Sequence, residues 1–231
     1  YEYDGSSWST GGSTSTGEHA PCPGGGTQSA AWGGAGWAGS DESNVIEEYN
    51  GTSWSSGGSM SQGRVYMGGN GSQTTGLIAG GTSYSPTVNH NSSEEYNGST
   101  WSSGGDTNSD PSYYSISGSS ADCIGSAGGA SSNSETYNGT SWTDEGNVNT
   151  QTSYHTTQGG SGAAWKYGGQ PVTTACEYWN GSTWASDTGL PASRRIAAYS
   201  TGADGGGNSP NGIVAGGYNS ANARVTNTYE A

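Results

Sequence analysis

The sequence lacks phenylalanine altogether and has a single lysine, Lys166, among its 231 residues. Hydrophobic residues make up only 28% of the chain, a fraction that by itself would favour disorder. No apolar run approaches the length of about 20 residues that a membrane-spanning helix needs, so the sequence predicts no membrane insertion. The chain begins with Tyr1 inside a predicted hairpin, which suggests a processed product or part of a longer protein.

Basic residues are also scarce. Five of them stand against 19 acidic residues, which gives a net charge of −14. This excess of negative charge disfavours binding to nucleic acid or to an anionic lipid surface. The simplest interpretation of the acidity is that it keeps the protein soluble.

Aromatic residues and glycine are plentiful by contrast, with nine tryptophans, fifteen tyrosines and 44 glycines. They recur in a six-residue motif that reads aromatic, Asn or Asp, Gly, two hydroxyl residues and Trp. Its five copies are Tyr3–Trp8, Tyr49–Trp54, Tyr96–Trp101, Tyr137–Trp142 and Trp179–Trp184. Asn-Gly or Asp-Gly between β-favouring residues predicts a tight hairpin with a type I′ turn. The aromatic residues therefore indicate a folded repeat protein rather than a disordered chain.

The repeat has a period typical of β-propeller blades. The first aromatic residue of the motif recurs after 46, 47, 41 and 42 residues. A glycine pair at the end of a short apolar or small-residue run keeps the same period, at 33–34, 80–81, 128–129, 168–169 and 216–217. Periods of about 40 to 50 residues built from short strands indicate propeller blades, and no segment shows a helical period.

Each repeat is predicted to contain four strands, a to d. In the second repeat they cover residues 63–69, 74–80, 91–96 and 99–103, with a glycine-rich a–b turn at Gly68, Gly69 and Gly71. Strand a of the other repeats is expected near 19–24, 112–117, 153–158 and 194–200. The glycine runs 24–26 and 205–207 are interpreted as a–b turns rather than phosphate loops, because neither a helix nor a lysine follows.

The predicted fold is therefore a single all-β domain over residues 1–231, a five-bladed β-propeller with four antiparallel strands per blade. The repeats span about 10–58, 59–105, 106–146, 147–189, and 190–231 together with 1–9. Residues 1–9 supply a spare d strand that the last blade lacks, so pairing of the N-terminal strand into that blade would close the ring. The alternative is a slice of a longer array whose edge strands pair with neighbouring chains.

The order of glycine pair, tyrosine and tryptophan resembles kelch-type propeller blades over nearly the whole chain, although here the Tyr–Trp pair brackets a turn of only four residues. Runs such as 47–54 (EEYNGTSW) and 26–30 (GTQSA) resemble kelch-like repeats of tailed marine and freshwater phages. The resemblance implies a virion-surface or secreted adhesion protein. It specifies no single activity, because propellers carry many functions.

Variable loops on a rigid scaffold are the usual place for binding. The b–c loops carry Trp37, Tyr84 and Tyr218 just after the glycine pairs, and these residues are the candidate ligand-binding rim, suited to stacking on sugar rings. The alternative is that they are scattered surface aromatics. The motif tryptophans are instead expected in the core between blades, because a residue required once per blade is usually architectural.

Six asparagines lie in N-glycosylation sequons, namely Asn50, Asn70, Asn91, Asn97, Asn138 and Asn180. They would carry glycans only in a secreted eukaryotic protein. Turn chemistry explains the four that lie in the hairpin motif without any glycan.

No pattern predicts a metal or a cofactor. The carboxylate pairs 47–48 and 94–95 are interpreted as solvated edge charges, since neighbours on a strand point to opposite faces. Cys22, Cys123 and Cys176 are an odd number in different repeats and do not suggest a disulfide framework, although one pair and a free thiol remain an alternative. The histidines, at 19, 90 and 155, show no zinc-site spacing.

The sequence thus predicts a non-catalytic structural or adhesion module without cofactors. It would be an exposed part of a phage tail, fibre or capsid, at the virion surface or outside the cell, and would bind host surface glycans through many weak contacts. Its partners would be other virion or fibre subunits in a repetitive assembly. A secreted lectin or glycosylated extracellular fibre subunit is the alternative. A galactose-oxidase-like or sialidase-like enzyme comes third, because such enzymes also use propellers. A sialidase would need an arginine cluster, and Arg64 and Arg194 hold similar places in two repeats.

Overall fold

The computed structural model describes residues 2–3, 6–15, 17–19, 23–195, 198–200, 213–225 and 228–230. Within these ranges the chain forms antiparallel β-strands and no helix, which confirms the all-β prediction.

Five sheets follow one another along the chain. The first contains β3 (Glu18–His19), β4 (Gly24–Thr27), β5 (Ala30–Ala38), β6 (Asp41–Tyr49) and β7 (Trp54–Ser59). The second contains β8 (Gly68–Ser72), β9 (Thr75–Ala79), β12 (Ser92–Tyr96) and β13 (Trp101–Asp106). The third contains β14 (Ser115–Ser119), β15 (Asp122–Ser126), β16 (Asn133–Tyr137) and β17 (Trp142–Asn147).

The fourth sheet contains β18 (Thr156–Gly160), β19 (Ala163–Tyr167), β20 (Cys176–Trp179) and β21 (Trp184–Asp187). The fifth contains β22 (Ala198–Ser200), β23 (Ile213–Ala215) and β24 (Thr228–Glu230). Two separate hairpins are formed by β1 (Glu2–Tyr3) with β2 (Trp8–Ser9) and by β10 (Thr82–Tyr84) with β11 (Thr87–Asn89).

The predicted unit of four strands occurs in the second, third and fourth sheets, where each strand pairs with the next in a meander. In the first sheet the same four strands are β4 to β7, and the short β3 pairs with the far end of β5. The fifth sheet has three strands in the described part of the chain. The N-terminal strand β1 pairs with β2. Among the described residues, neither of these two strands pairs with β24 of the fifth sheet.

The first strand of the second and third repeats starts later than predicted. β8 begins at Gly68 and β14 at Ser115, where residues 63–69 and 112–117 were expected. In both repeats a tyrosine with positive φ shortly before the strand, Tyr66 or Tyr113, interrupts the extended backbone. Residues 68, 69 and 24–26 consequently lie in strands, and the a–b turn of the second repeat falls at 73–74. Residues 205–207 lie outside the described part of the chain.

The motif hairpins are present at the second to fifth copies, but their turns are not of type I′. Tyr96 pairs with Trp101, so the loop has four residues, and only Gly98 has positive φ (88°). The Asn97 carboxamide oxygen accepts from the backbone N–H groups of Ser99 and Thr100, both at 3.0 Å. The asparagine side chain therefore replaces the second positive-φ residue as the element that closes the turn.

The first strands of consecutive sheets lie next to one another, in the order β4, β8, β14, β18 and β22. The motif aromatics fill the space between these sheets. Trp142 is 6% exposed, and its indole N–H donates to the Ser93 hydroxyl of the preceding sheet at 3.2 Å. Trp101 meets Trp32 of the preceding sheet edge-on at 5.3 Å. Trp8, in contrast, is 70% exposed.

The carboxylate pairs are not solvated edge charges, and the structure corrects this prediction. Glu94 is buried and accepts from the backbone N–H and the hydroxyl of Ser61, which precedes the second sheet. Glu95 points the other way and accepts from the Tyr137 hydroxyl of the following sheet at 2.8 Å. Because neighbouring strand residues face opposite sides, one pair holds the loop before its own sheet on one side and binds the following sheet on the other.

Three of the five basic residues are also buried. The Arg64 guanidinium forms an ion pair with Glu94 at 2.7 Å and donates to the Gly80 carbonyl. The Lys166 ammonium donates to the Thr150 carbonyl at 2.8 Å. Arg194 donates to a backbone carbonyl as well, that of residue 216, at 2.6 Å. These cations hold loops together and are not available at the surface.

Candidate functional site: an aromatic surface

Three tyrosines at equivalent positions of the second, third and fourth repeats meet in one cluster. We call Tyr66, Tyr113 and Tyr154 the tyrosine triad. The ring of Tyr113 lies 4.5 Å from that of Tyr66 and 4.4 Å from that of Tyr154, centroid to centroid. The Tyr154 hydroxyl donates to the Tyr113 hydroxyl at 3.3 Å. Each triad residue lies shortly before the first strand of its sheet, so the adjacency of β8, β14 and β18 brings the rings together.

All three triad residues adopt the left-handed backbone conformation, with φ of 58°, 54° and 54°. This conformation costs a non-glycine residue about 1–2 kcal/mol. Tertiary contacts hold it in place, since the carbonyl of Tyr66 accepts from the backbone N–H of Tyr114 in the next repeat at 3.0 Å. Strain repeated at three equivalent positions that bear the same half-buried side chain suggests a shared role for these rings.

Two of the rim residues predicted from the sequence join this cluster. Trp37 and Tyr84 stack on each other at 5.5 Å with an interplanar angle of 26°. The Tyr84 phenol also interacts with those of Tyr113 and Tyr66. Its backbone N–H donates to the Glu42 carboxylate at 2.7 Å, which ties the β10–β11 hairpin to β6. The aromatic surface is hereafter defined as Trp37, Tyr84 and the triad.

The phenols of Tyr84 and Tyr154 stay protonated at neutral pH. Partial burial, together with the neighbouring phenols of Tyr113 and Tyr66, raises the pKa of Tyr84 to about 12. The pKa of Tyr154 is raised by burial and by its hydrogen bond to Tyr113. Protonated phenols both donate and accept hydrogen bonds, so the surface offers ring faces beside hydroxyl groups.

Tyr218, the third predicted rim residue, has different neighbours. The Arg195 guanidinium lies 5.5 Å from the centre of its ring, and Arg224 Nε donates to its hydroxyl at 3.4 Å. Among the interactions recorded for the described residues, none joins Tyr218 to the aromatic surface. It lies after β23, in the connection that corresponds to the one that carries Tyr84 in the second repeat.

The sequon asparagines fall into two groups. Asn50, Asn97, Asn138 and Asn180 are exposed in the hairpin loops, where each side-chain oxygen accepts two backbone N–H groups. Asn70 is 2% exposed, and its amide donates to the Ser119 carbonyl of the third sheet. Asn91 is half-buried, and its carbonyl accepts from Thr107. A glycan on Asn70 would require this buried amide to be displaced.

The remaining chemically active side chains are dispersed. His155 is buried between the Ser126 hydroxyl and the Thr152 carbonyl, both at 2.8 Å. His90 contacts the Ser83 hydroxyl at 3.1 Å, and the side chain of His19 lies outside the described part of the structure. Across the described ranges, no three His, Cys, Asp or Glu side chains are grouped so that they could hold a metal ion. None of the described residues forms a helix suited to crossing a membrane.

Two cysteines are described, and both are free and buried. Burial raises the pKa of the Cys123 thiol to about 12, and that of Cys176 likewise. Cys22 lies outside the described residues. Because Cys123 and Cys176 are both free, the predicted alternative of one disulfide pair and a free thiol is not formed in this structure.

A cavity of about 370 Å³ lies between the β1–β2 hairpin and the first sheet. Its aromatic walls are Trp8, Tyr49 and Trp54, and Gln28 and Thr27 add polar groups. It lies beside the motif hairpins, whereas the aromatic surface lies beside the segments that precede the first strands.

The sequence prediction missed the tyrosine triad. The available signal was a tyrosine at one fixed offset before three successive first strands, with spacings of 47 and 41 residues that follow the motif. Tyrosine favours strands, so these residues were included in strand a or placed at its edge. Only their positive φ, which depends on packing between sheets, separates them from the strands.

No protein-family model matches the chain, and a search of curated proteins finds no significant match.

Proposed function

We propose that the chain is a five-bladed kelch-like propeller and that it serves as a non-catalytic adhesion module of a virion tail, fibre or capsid. The five sheets would be its blades, with the adjacent first strands β4, β8, β14, β18 and β22 around a common axis. The carboxylate pairs support this arrangement, because in the second sheet Glu94 holds the loop that leads in from the preceding sheet while Glu95 binds the following sheet. A radial stack requires such two-sided contacts from every blade.

The β1–β2 hairpin supports closure of the ring. Tyr96 donates to Glu48 of the sheet before it, and Tyr137 donates to Glu95 in the same way. The Tyr49 hydroxyl donates likewise to Glu2 in β1, so this hairpin occupies the position of the sheet that precedes the first. In a closed ring that sheet is the fifth, to which the N-terminal hairpin would belong.

The observation that carries the binding proposal is the aromatic surface. Flat apolar ring faces beside hydroxyl groups suit sugars, which present C–H faces for stacking and hydroxyl groups for hydrogen bonding. Trp37 and the 41% exposed Tyr84 would provide the outer contact, and the triad would provide the inner one. Single sites of this kind bind weakly, and a repetitive assembly would multiply them into firm attachment.

A panel of neutral oligosaccharides, screened by ligand-observed NMR against the purified chain, tests this proposal. We expect binding that is lost in Trp37→Ala and in Tyr84→Ala. Tyr178→Ala is the matched control, because Tyr178 packs on Trp165 in the fourth sheet and belongs to another aromatic pair. Binding that survives both variants, or that is lost equally in the control, would refute the assignment.

A secreted, glycosylated protein is the second candidate. It is favoured by the exposure of Asn50, Asn97, Asn138 and Asn180 at equivalent loop positions. The intact mass of protein from its native source separates the two candidates. Additional mass in hexose steps on these loops would support the secreted form, and an unmodified mass would support the virion module.

A further inference from the structure

Tyr218 lies between two arginines on three adjacent backbone segments. Tyr218 forms one antiparallel bridge with Arg195 and another with Arg224. The first bridge is a full pair of backbone hydrogen bonds, at 3.1 and 2.9 Å. Residues directly opposite one another on antiparallel segments present their side chains on the same face, so both guanidinium groups share a face with the phenol.

The side chains themselves converge. The Arg195 guanidinium lies 5.5 Å from the centre of the Tyr218 ring and also donates to the carboxamide oxygen of Asn222. Arg224 is exposed, and its Nε donates to the Tyr218 hydroxyl at 3.4 Å. Asn222 adopts the left-handed conformation, with φ of 57°, which completes a tight turn between Tyr218 and Arg224. The turn residue Asn222 thereby holds Arg195, while the Tyr218 phenol holds Arg224.

The charge distribution makes this cluster exceptional in the molecule. The other three basic residues, Arg64, Lys166 and Arg194, are buried, and each donates to a backbone carbonyl. Arg64 also has the carboxylate of Glu94 as a partner. The only ion pair recorded among the described residues is that of Arg64 with Glu94, so neither Arg195 nor Arg224 has a carboxylate partner there. Two neighbouring positive charges repel each other, and a bound anion would remove that repulsion.

We propose that Arg195, Tyr218 and Arg224 form a binding site for the carboxylate or sulfate group of an acidic saccharide. The planar guanidinium fork matches two oxygens of such a group, and the Tyr218 hydroxyl, which accepts from Arg224, can still donate its own proton to the anion. The assignment of the anion to a saccharide rests on the proposed function, whereas the anion site itself does not. The site would select for charge, and the aromatic surface would select for ring faces.

Calorimetric titration at low ionic strength provides the test. The probes are a sulfated oligosaccharide, a uronic-acid oligosaccharide, a neutral oligosaccharide of equal length and inorganic sulfate. We expect the wild-type chain to bind the acidic oligosaccharides at least tenfold more tightly than the neutral one. Arg224→Gln should remove about tenfold in affinity for the acidic probes and leave neutral binding unchanged. Added salt should weaken the acidic complexes selectively.

Trp37→Ala serves as the control that separates the two proposals. If it abolishes neutral binding while sulfate binding stays sensitive to Arg224→Gln, both sites are supported. If no saccharide binds but inorganic sulfate does so through Arg224, the saccharide assignment is overturned. Acidic affinity that is unchanged in Arg195→Gln and Arg224→Gln overturns the site itself. Circular dichroism establishes that each variant is folded.

Discussion

The hydroxyl of Tyr137 lies 2.8 Å from both the Glu95 carboxylate of the neighbouring sheet and the Gly104 carbonyl, and it shares its single proton between these two acceptors. This contact joins β16 of the third sheet to the second sheet, across 42 residues of sequence. It also raises the pKa of Tyr137, because burial and the adjacent carboxylate both disfavour the phenolate. The motif tyrosine is therefore a connector between sheets as well as a core residue.

Replacing Tyr137 with phenylalanine should lower the free energy of unfolding by about 1–2 kcal/mol, because the carboxylate and the carbonyl lose their donor. Tyr178→Phe is the matched control. No hydrogen bond from the Tyr178 hydroxyl is recorded among the described residues, and we expect its removal to change stability by less than about 0.5 kcal/mol. Urea denaturation of both variants measures the difference. Equal losses would contradict the role of the contact between sheets.

Glu135 offers a second test of the contacts between sheets. It is fully buried and accepts from the backbone N–H of Asn108 at 2.7 Å and from the Ser109 hydroxyl at 2.8 Å. Glu135→Gln keeps the shape but turns one acceptor into a donor that faces other donors. We expect a loss of about 1.5–3 kcal/mol in the free energy of unfolding. Asp122→Asn, at an exposed carboxylate in β15, is the control and should leave the thermal midpoint of unfolding nearly unchanged. A decrease in midpoint as large as that of Glu135→Gln would refute the prediction.

Local sequence rules predicted part of this fold well. The predicted strand 91–96 agrees with the observed β12 to within one residue, because the following Asn-Gly determines where it ends. The rules failed where packing between sheets decides the structure. Glutamates are usually exposed, so nothing nearby in the sequence indicated that Glu94 and Glu135 would meet loop donors about 30 residues away.

The candidate site was likewise predictable only where local sequence rules determine the structure. The loop position of Trp37 and Tyr84 followed from their places after the glycine pairs, and the structure stacks them together. The left-handed backbone of the triad tyrosines is stabilised by neighbouring repeats and has no signature in the nearby residue types. The turn chemistry failed for a related reason, since an asparagine side chain can close a loop without positive φ of its own.

The two described cysteines should be unreactive in the folded protein. Their pKa values of about 12 leave only a trace of thiolate at pH 8, and both side chains are buried. We expect iodoacetamide to label Cys123 and Cys176 only after denaturation, as read by peptide mass spectrometry. Free cysteine added to the same reaction controls for reagent activity. Rapid labelling of either residue in the native protein would contradict its placement.

His155 should make the protein sensitive to acid. Burial, together with the nearby Lys166 ammonium, lowers its pKa to about 3, while the Thr152 carbonyl and the Ser126 hydroxyl satisfy the neutral ring. An unfolded histidine titrates near 6.5, so the unfolded state binds a proton first as the pH falls. The contribution of His155 to stability is therefore complete above about pH 6.5, and it is lost towards pH 3 at about 1.4 kcal/mol per pH unit.

The measurement is urea denaturation of the wild type and His155→Gln between pH 7 and pH 4. Glutamine can donate to the Thr152 carbonyl and accept from Ser126, so the variant should fold, yet it takes up no proton. We expect the wild type to lose stability more steeply than the variant, with the two curves converging as the pH falls. His90→Gln is the control, because His90 is half-buried and should change the slope less. Parallel curves for wild type and His155→Gln would show that His155 takes up its proton at the same pH in the folded and unfolded states, which would refute the lowered pKa.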